Sequence, residues 1–444
     1  MRGDLVGIER ISLLQIGDVH LPDWAANRSS IDLKQSNFSQ QIVSSLQTDS
    51  LTMILEHLRK SARLGNTDAA ILMGDFTTRG DTSRLAVATQ VISSLLNDTR
   101  SESKIPIFGV PGNHDVAKAD AVAKGEAGKF DPLVEAFKEA GWHSPPVGKH
   151  IKFPLSNNNS QSVDLYAMNS SIGSWSKALY PEGMRELIFG DQSKPISVGE
   201  TGLLGSGGAV TQSLDTLEDQ VYEQLDTPYF LAQDIDAIYQ DIQSAGRLSV
   251  IVAHHNILPQ YLPRISSFGE VLNAGYAREM FLKTNCPVLY LHGHIHTDPV
   301  EIVHSLDSRS KLISISAPSL DQGYNIIHLF ADEGGRFFAI KLDSIRHRSP
   351  RITIDSTIIP VVSDPKYLLR RDVSKFWDYI QNQLPPSERE QMTWRDFEEI
   401  AESTSIDGSA LEGIAVALIC AGLADIENLE VSREAWRIKL KAAA

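Results

Sequence analysis

Short apolar runs that stop at polar, metal-competent residues recur through the first two-thirds of this sequence. Residues 11–16 (ISLLQI) end at Gly17-Asp18, residues 69–73 (AAILM) at Gly74-Asp75, and residues 105–110 (IPIFGV) at Pro111-Gly112-Asn113-His114-Asp115. Runs of this length read as buried strands. Between them, residues 38–64 and 85–96 carry apolar side chains at helical spacing, including Leu51, Ile54, Leu55 and Leu58. The unit of strand, polar loop and helix implies an α/β architecture with the polar loops gathered at one sheet edge.

The later pattern is less regular. Residues 163–168 and 248–253 read as strands, the second ending at His254-His255. Residues 231–242 and 271–282 read as helices, and residues 287–291 as a strand ending in His292-Gly293-His294-Ile295-His296. Residues 311–316, 326–330 and 337–342 are spaced as a meander of strands. Residues 171–229 fall outside this rhythm, are rich in Gly and Ser, and read as an insertion, either a lid or binding loop or a mobile surface segment. From about residue 365 the pattern turns helical, at 373–384, 394–402 and 409–426, with Asp407 placed to cap the third helix. Residues 429–440 fit a strand or a short helix. The expected domains are therefore 1–350 and 351–444, the latter a linker followed by a small, mainly helical unit with a winged-helix outline.

Composition narrows the function. The net charge of -15 over 444 residues argues against a chain that coats long nucleic acid, because phosphate backbones attract Lys and Arg. From residue 366 onward acidic residues outnumber basic ones, 14 to 10, so the C-terminal unit is expected to meet a protein partner or a second copy rather than DNA. The two cysteines, Cys286 and Cys420, lie in apolar contexts and read as small buried hydrophobes. No signal-type leader and no membrane-spanning run is seen, so the expected compartment is the cytoplasm.

The chemistry lies at the strand ends. Asp18 and His20 follow the first strand, Asp75 the second, Asn113 and His114 the third, His254 a later one, and His294 and His296 another. In open α/β sheets such ends share a crevice. Residues two apart in extended chain point the same way, so Asp18 and His20, like His294 and His296, can face it together. Oxygen ligands mixed with imidazoles suit Mn, Fe, Zn or Co better than Ca or Mg. Seven such ligands suit two ions, and a bridging carboxylate would hold them about 3.5 Å apart, the arrangement used for phosphoryl hydrolysis.

Taken together, Asp18-Val19-His20, Gly74-Asp75, Gly112-Asn113-His114-Asp115, His254 and Gly293-His294-Ile295-His296 resemble the five signature blocks of the calcineurin-like metallophosphoesterases, over residues 9–345. The resemblance implies a four-layer sandwich, two packed β-sheets flanked by helices, with the metals at the sheet edge. It implies one divalent ion on Asp18, His20, Asp75 and His296, and a second on Asp75, Asn113, His254 and His294, with Mn the expected ion in vitro. It assigns His114 to protonating the leaving oxygen. Arg79 matches an arginine that binds phosphate in the protein phosphatase branch. Thr78 departs from that branch, which has an acidic residue there to orient the catalytic histidine. Asp115 or Asp81 is then expected to orient His114. His255 and His292 flank ligand positions and are expected to support them.

The expected reaction is metal-dependent hydrolysis of a phosphate ester: hydroxide formed between the metals attacks phosphorus, and His114 acts as general acid. The spacing and the missing acid at 78 look more like the phosphodiesterase branches, acting on a small or nucleotide-type substrate. A nuclease of the DNA-repair type and a phosphomonoesterase are the alternatives on the same site. A protein-binding scaffold that has lost catalysis is the alternative of another class.

Overall fold

The first apolar run is a strand, β1 (Glu9–Ile16). Its side chains alternate as a pleated strand requires: Ile11 and Leu13 enter one apolar cluster, Leu14 and Ile16 another. The computed structural model describes residues 9–21, 49–63, 67–77, 82–97, 104–117, 120, 128–156, 162–174, 227–259, 271–296, 300–305, 310–332, 335–348, 351–362, 371–385, 389, 391–429 and 432–441. After β1 these hold α1 (Asp49–Arg63), β2 (Ala69–Leu72), α2 (Leu85–Leu96), β3 (Ile107–Gly109), α3 (Asp131–Ala140), β4 (Ile151–Ser156) and β5 (Ser162–Ala167). Next come α4 (Ala232–Ala245), β6 (Ser249–Val252), α5 (Ala274–Leu282), β7 (Val288–His292), β8 (Glu301–His304), β9 (Lys311–Ser316), β10 (Gly323–Ala331), β11 (Phe337–Arg348) and β12 (Arg351–Pro360). The last part holds α6 (Arg371–Gln383), β13 (Met392–Thr393), α7 (Trp394–Thr404), α8 (Leu411–Cys420), β14 (Ala424–Glu427) and β15 (Arg437–Leu440).

Two six-stranded sheets stack. The first has the order β12-β11-β10-β1-β2-β3 and the second β4-β5-β6-β7-β9-β8. Ile11, Leu13, Ile71 and Ile327 of the first pack on Leu165, Val250, Leu289 and Ile313 of the second. Helices α1, α2 and α3 cover the outer face of the first sheet through Leu51, Leu58, Val91 and Leu133, and α4 and α5 cover the second through Ile235, Ile238 and Phe281. Each such side chain removed from water contributes about 1.5–3 kcal/mol. The result is the four-layer sandwich expected from the sequence. β1, β2 and β3 run parallel, as do β5, β6, β7 and β9, so each parallel group delivers its loops to one edge.

Several expectations need correcting. Residues 351–360 are not linker: β12 pairs with β11 along its whole length, from Ala339↔Pro360 to Arg348↔Arg351. The predicted meander is also split, because β9 lies parallel to β7 in the second sheet while β10 crosses to the first. The third C-terminal helix stops at Cys420, where Gly422 takes φ 73° and the chain turns into β14. Asp407 does cap the turn before α8, accepting from the Ser409 N–H at 2.8 Å.

The C-terminal elements alternate as helix, strand, helix, helix, strand, strand, with sheet order β13-β15-β14. Their core is shared with the first sheet: Phe376, Phe397, Ile414, Val416 and Trp436 pack with Phe330, Phe338 and Ala339 of β10 and β11. Of the 171–229 insertion, residues 175–226 lie outside the described residues. No helix among the described residues is long and apolar enough to cross a membrane.

Candidate metal centre

Each strand delivers its polar residue where the extended chain ends and the backbone must turn. Four of the predicted ligands make that turn at positive φ: His20 at 46°, Asp75 at 50°, His294 at 64° and His296 at 66°. Side chains with a Cβ rarely hold this conformation, and it costs about 1–3 kcal/mol each. The concentration of such residues at one edge marks the site independently of their chemistry. Two glycines let the loops approach. A Cβ on Gly74 would lie 2.6 Å from the Gly112 nitrogen and 2.9 Å from Nδ1 of His254, and one on Gly112 would collide with Asp75.

Asp18, His20, Asp75, Asn113, His114, His254, His294 and His296 come together here. Nε2 of His254 has the Asn113 Oδ1 at 2.9 Å, an Asp75 oxygen at 3.3 Å and Nδ1 of His294 at 3.3 Å. On the other side, His296 Nε2 meets Asp18 Oδ2, and Asp18, His20 and His296 form a group of potential ligands within 4.8 Å. Asp75 lies between: its Oδ2 is 4.0 Å from Nε2 of both His20 and His114. Its Oδ1 accepts the His114 N–H at 2.9 Å. Asp18 accepts the His294 N–H at 3.1 Å. The Met73 carbonyl accepts from Nδ1 of His254 at 2.5 Å, which turns Nε2 toward the other donors. Met73 acts through its backbone, so its identity gave no signal in the sequence.

Electrostatics favour a cation in this cluster. Burial opposes charge on Asp18 and Asp75, yet neighbouring histidines outweigh it: His296 and His254 hold Asp18 below its ordinary value, and His254, His114 and His20 hold Asp75 well below. Burial would lower His254, but the charges of Asp75 and Asp18 raise it to about 10. Two buried carboxylates thus keep their charge by recruiting protons onto imidazoles, and divalent cations on the same donor atoms would take over that role. The donor set of carboxylate, amide oxygen and imidazole fits borderline transition ions.

Asp115, one of the two groups expected to orient His114, is spent elsewhere. It accepts the N–H of Gly112 at 2.9 Å, Phe76 at 2.8 Å and Thr77 at 3.4 Å, and so ties the Asp75 and Asn113 loops together. Burial, then the charge of Asp75, pushes its carboxyl up to about 8. Thr78, Arg79 and Asp81 lie outside the described residues. His292 is buried behind the site, with burial lowering it to about 4.

The sequence profile of the calcineurin-like phosphoesterases matches residues 11–298. Comparison with curated proteins gives no match. Among solved structures, a zebrafish (Danio rerio) dimetal phosphatase is similar at 10% identity and TM-score 0.43, covering 79% of this chain and 99% of its own. The Plasmodium protein described as the anchor in the inner membrane complex is similar at 10% identity and TM-score 0.42, covering 80% and 90%. A putative 5'-nucleotidase from Staphylococcus aureus is similar at 14% identity and TM-score 0.37; 80% of this chain aligns with 55% of it.

Proposed function

The chain belongs to the calcineurin-like phosphoesterase family, metal-dependent hydrolases of phosphate esters, and on that premise we propose that it cleaves small or nucleotide-type phosphodiesters at a dinuclear centre. One divalent ion would be held by Asp18, His20, Asp75 and His296, the second by Asp75, Asn113, His254 and His294. The observation that supports this reading most is the position of Asp75, buried between an Asp18–His20–His296 group and the Asn113–His254–His294 nitrogens and oxygen. Divalent ions held by these residues would supply Lewis-acid chemistry, offsetting phosphate charge and activating water.

The remaining work falls to side chains. His114 stands at the open face, with its side chain 31% exposed, while His254 behind it is sealed at 0%. That places His114 beside an incoming ester, where its ring can give a proton to the departing oxygen. Its loop is fixed by the Asp75 bond to its own N–H and by the Thr77 hydroxyl, which donates to its carbonyl at 3.3 Å. The pairing of β12 with β11 supports a phosphoesterase unit through residue 362, followed by a C-terminal unit with the strand and helix order of a winged helix. The third helix of that unit, α8, which such modules would offer to a ligand, is instead buried along Leu411, Ile414, Ala415 and Leu418. The unit therefore reads as a brace on the first sheet.

Hydrolysis of bis-p-nitrophenyl phosphate by Mn-loaded protein tests this, with Asp75→Asn alongside. The expected result is turnover in the wild type that falls in the variant to the level of metal-free protein. Wild-type turnover in a metal-loaded Asp75→Asn chain would sink the dinuclear assignment. Faster cleavage of p-nitrophenyl phosphate than of the diester would sink the diester preference alone.

A further inference from the structure

The 171–229 insertion has its base tied to two of the ligand-bearing loops, those of Asn113 and His254. Ser171 bridges to Tyr229, whose N–H donates to the Ser170 carbonyl at 3.1 Å. The Ser171 hydroxyl donates to the Pro111 carbonyl at 3.1 Å, two residues before Asn113. Buried Lys129 donates to the carbonyls of Ile172 and Ser174. Ser170 itself, fully buried, faces His255, the neighbour of His254.

The Ser170–His255 contact is double. The His255 N–H donates to Ser170 Oγ at 3.1 Å, and Oγ lies 2.8 Å from the ring Nδ1. A buried hydroxyl needs partners, and this one finds two on His255, the backbone N–H and the ring Nδ1. The ring is thereby held in one orientation. It packs on two that would ligate: its centroid is 4.5 Å from His294 and 4.7 Å from His254. Tyr290 donates to the His255 carbonyl at 2.5 Å, so the residue is fixed at N–H, carbonyl and ring.

We propose that Ser170 and His255 are a positioning pair for the second metal ion: they hold the His294 and His254 rings in their binding orientation and join that half of the centre to the base of the insertion. This rests on the dinuclear reading above. His255 is close enough to His254 and His294 to be taken for a third ligand. The serine bond holds the ring at Nδ1, and the Ser170→Ala variant below separates support from ligation.

The test is Co(II) titration of the full chain, following the affinity of each equivalent and the visible absorption of the bound ion. Melting of the cation-free protein reports on folding. In His255→Ala and Ser170→Ala, the second equivalent should bind about 10–100-fold more weakly with an altered spectrum, and the first should be unchanged. Ser170→Ala should show the smaller effect, and it decides the question if His255→Ala does not fold. Wild-type affinities and spectra in Ser170→Ala and in folded His255→Ala overturn the pair. So does loss of the second site in His255→Ala with no change in Ser170→Ala, which would make His255 a ligand. A wild type that binds a single equivalent overturns the dinuclear reading, and this inference with it.

Discussion

At the scale of the residue, His114 differs from every other imidazole of the site. It is more open than His20, His254 and His296, its ring sits edge-on to His20 at 5.4 Å, and it touches Asp75 through its backbone rather than by a close ring bond. A general acid matters most when the leaving group is a poor one. His114→Ala is therefore expected to lower kcat about 10²–10⁴-fold for an alkyl ester. For nitrophenyl esters, whose leaving oxygen needs no proton, the loss should be much smaller. Steady-state kinetics on both substrates would show it, and equal losses would argue that His114 only binds phosphate. The sequence located His114 and the other seven because each closes a strand. It did not locate Ser170, whose role depends on a fold that brings it to His255 across 85 positions.

At the scale of the element, the outer face of the first sheet carries a polar seam between its two apolar clusters. Ser12 on β1, His328 on β10, and Lys341 and Asp343 on β11 are joined across strands: Ser12 Oγ to His328 Nδ1 at 2.8 Å, His328 Nε2 to Asp343 at 3.3 Å and Lys341 to Asp343 at 3.2 Å. Burial lowers His328, aided by Arg10 and Lys341 and opposed by Asp343. Burial would raise Asp343, but His328 and Lys341 bring it down to about 2. Below the ordinary histidine value of 6.5 the unfolded chain takes a proton that folded His328 refuses, so stability falls as pH drops through that range. Asp343 acts lower: its contribution is present above 3.8 and is lost as pH falls toward about 2. His328→Asn should shrink the drop in urea midpoint between pH 7.5 and 5.5. An unchanged drop would mean that other groups carry it.

Elements also differ in how well the sequence reports them. β2, β6 and β7 are buried at every position and stand out as apolar runs. Three edge strands, β4, β8 and β12, are partly exposed along their length and carry no such run. β4 even holds Pro154, which an edge tolerates because one side of the strand needs no ladder bond.

At the scale of the whole molecule, the C-terminal unit completes a layer. Helices α1 to α3 cover part of the outer face of the first sheet, and the C-terminal unit covers Phe330, Phe338 and Ala339 beside them. Arg10 pairs with Glu412 at 3.0 Å and Lys341 stacks on Trp436 at 5.4 Å across the junction. A chain ending at residue 362 would expose this apolar face, and such patches drive association. It is expected to aggregate or melt well below the full chain, as light scattering and thermal melts would reveal. A monomeric fragment with full-length melting would show that the unit is an independent attachment.

The sequence by itself determined which residues are metal-competent and that they end strands, because burial on both faces writes an uninterrupted apolar run and the polar residue ends it. It also carried the α/β class and the cap at Asp407. The tertiary structure decided which sheet each strand joins, since β9 and β10 are both strands in pattern yet lie in different sheets. It decided that Asp115 braces two loops rather than orienting His114, and that the most apolar C-terminal helix is hidden against a sheet. These outcomes depend on contacts between distant segments, and local spacing carries no record of them.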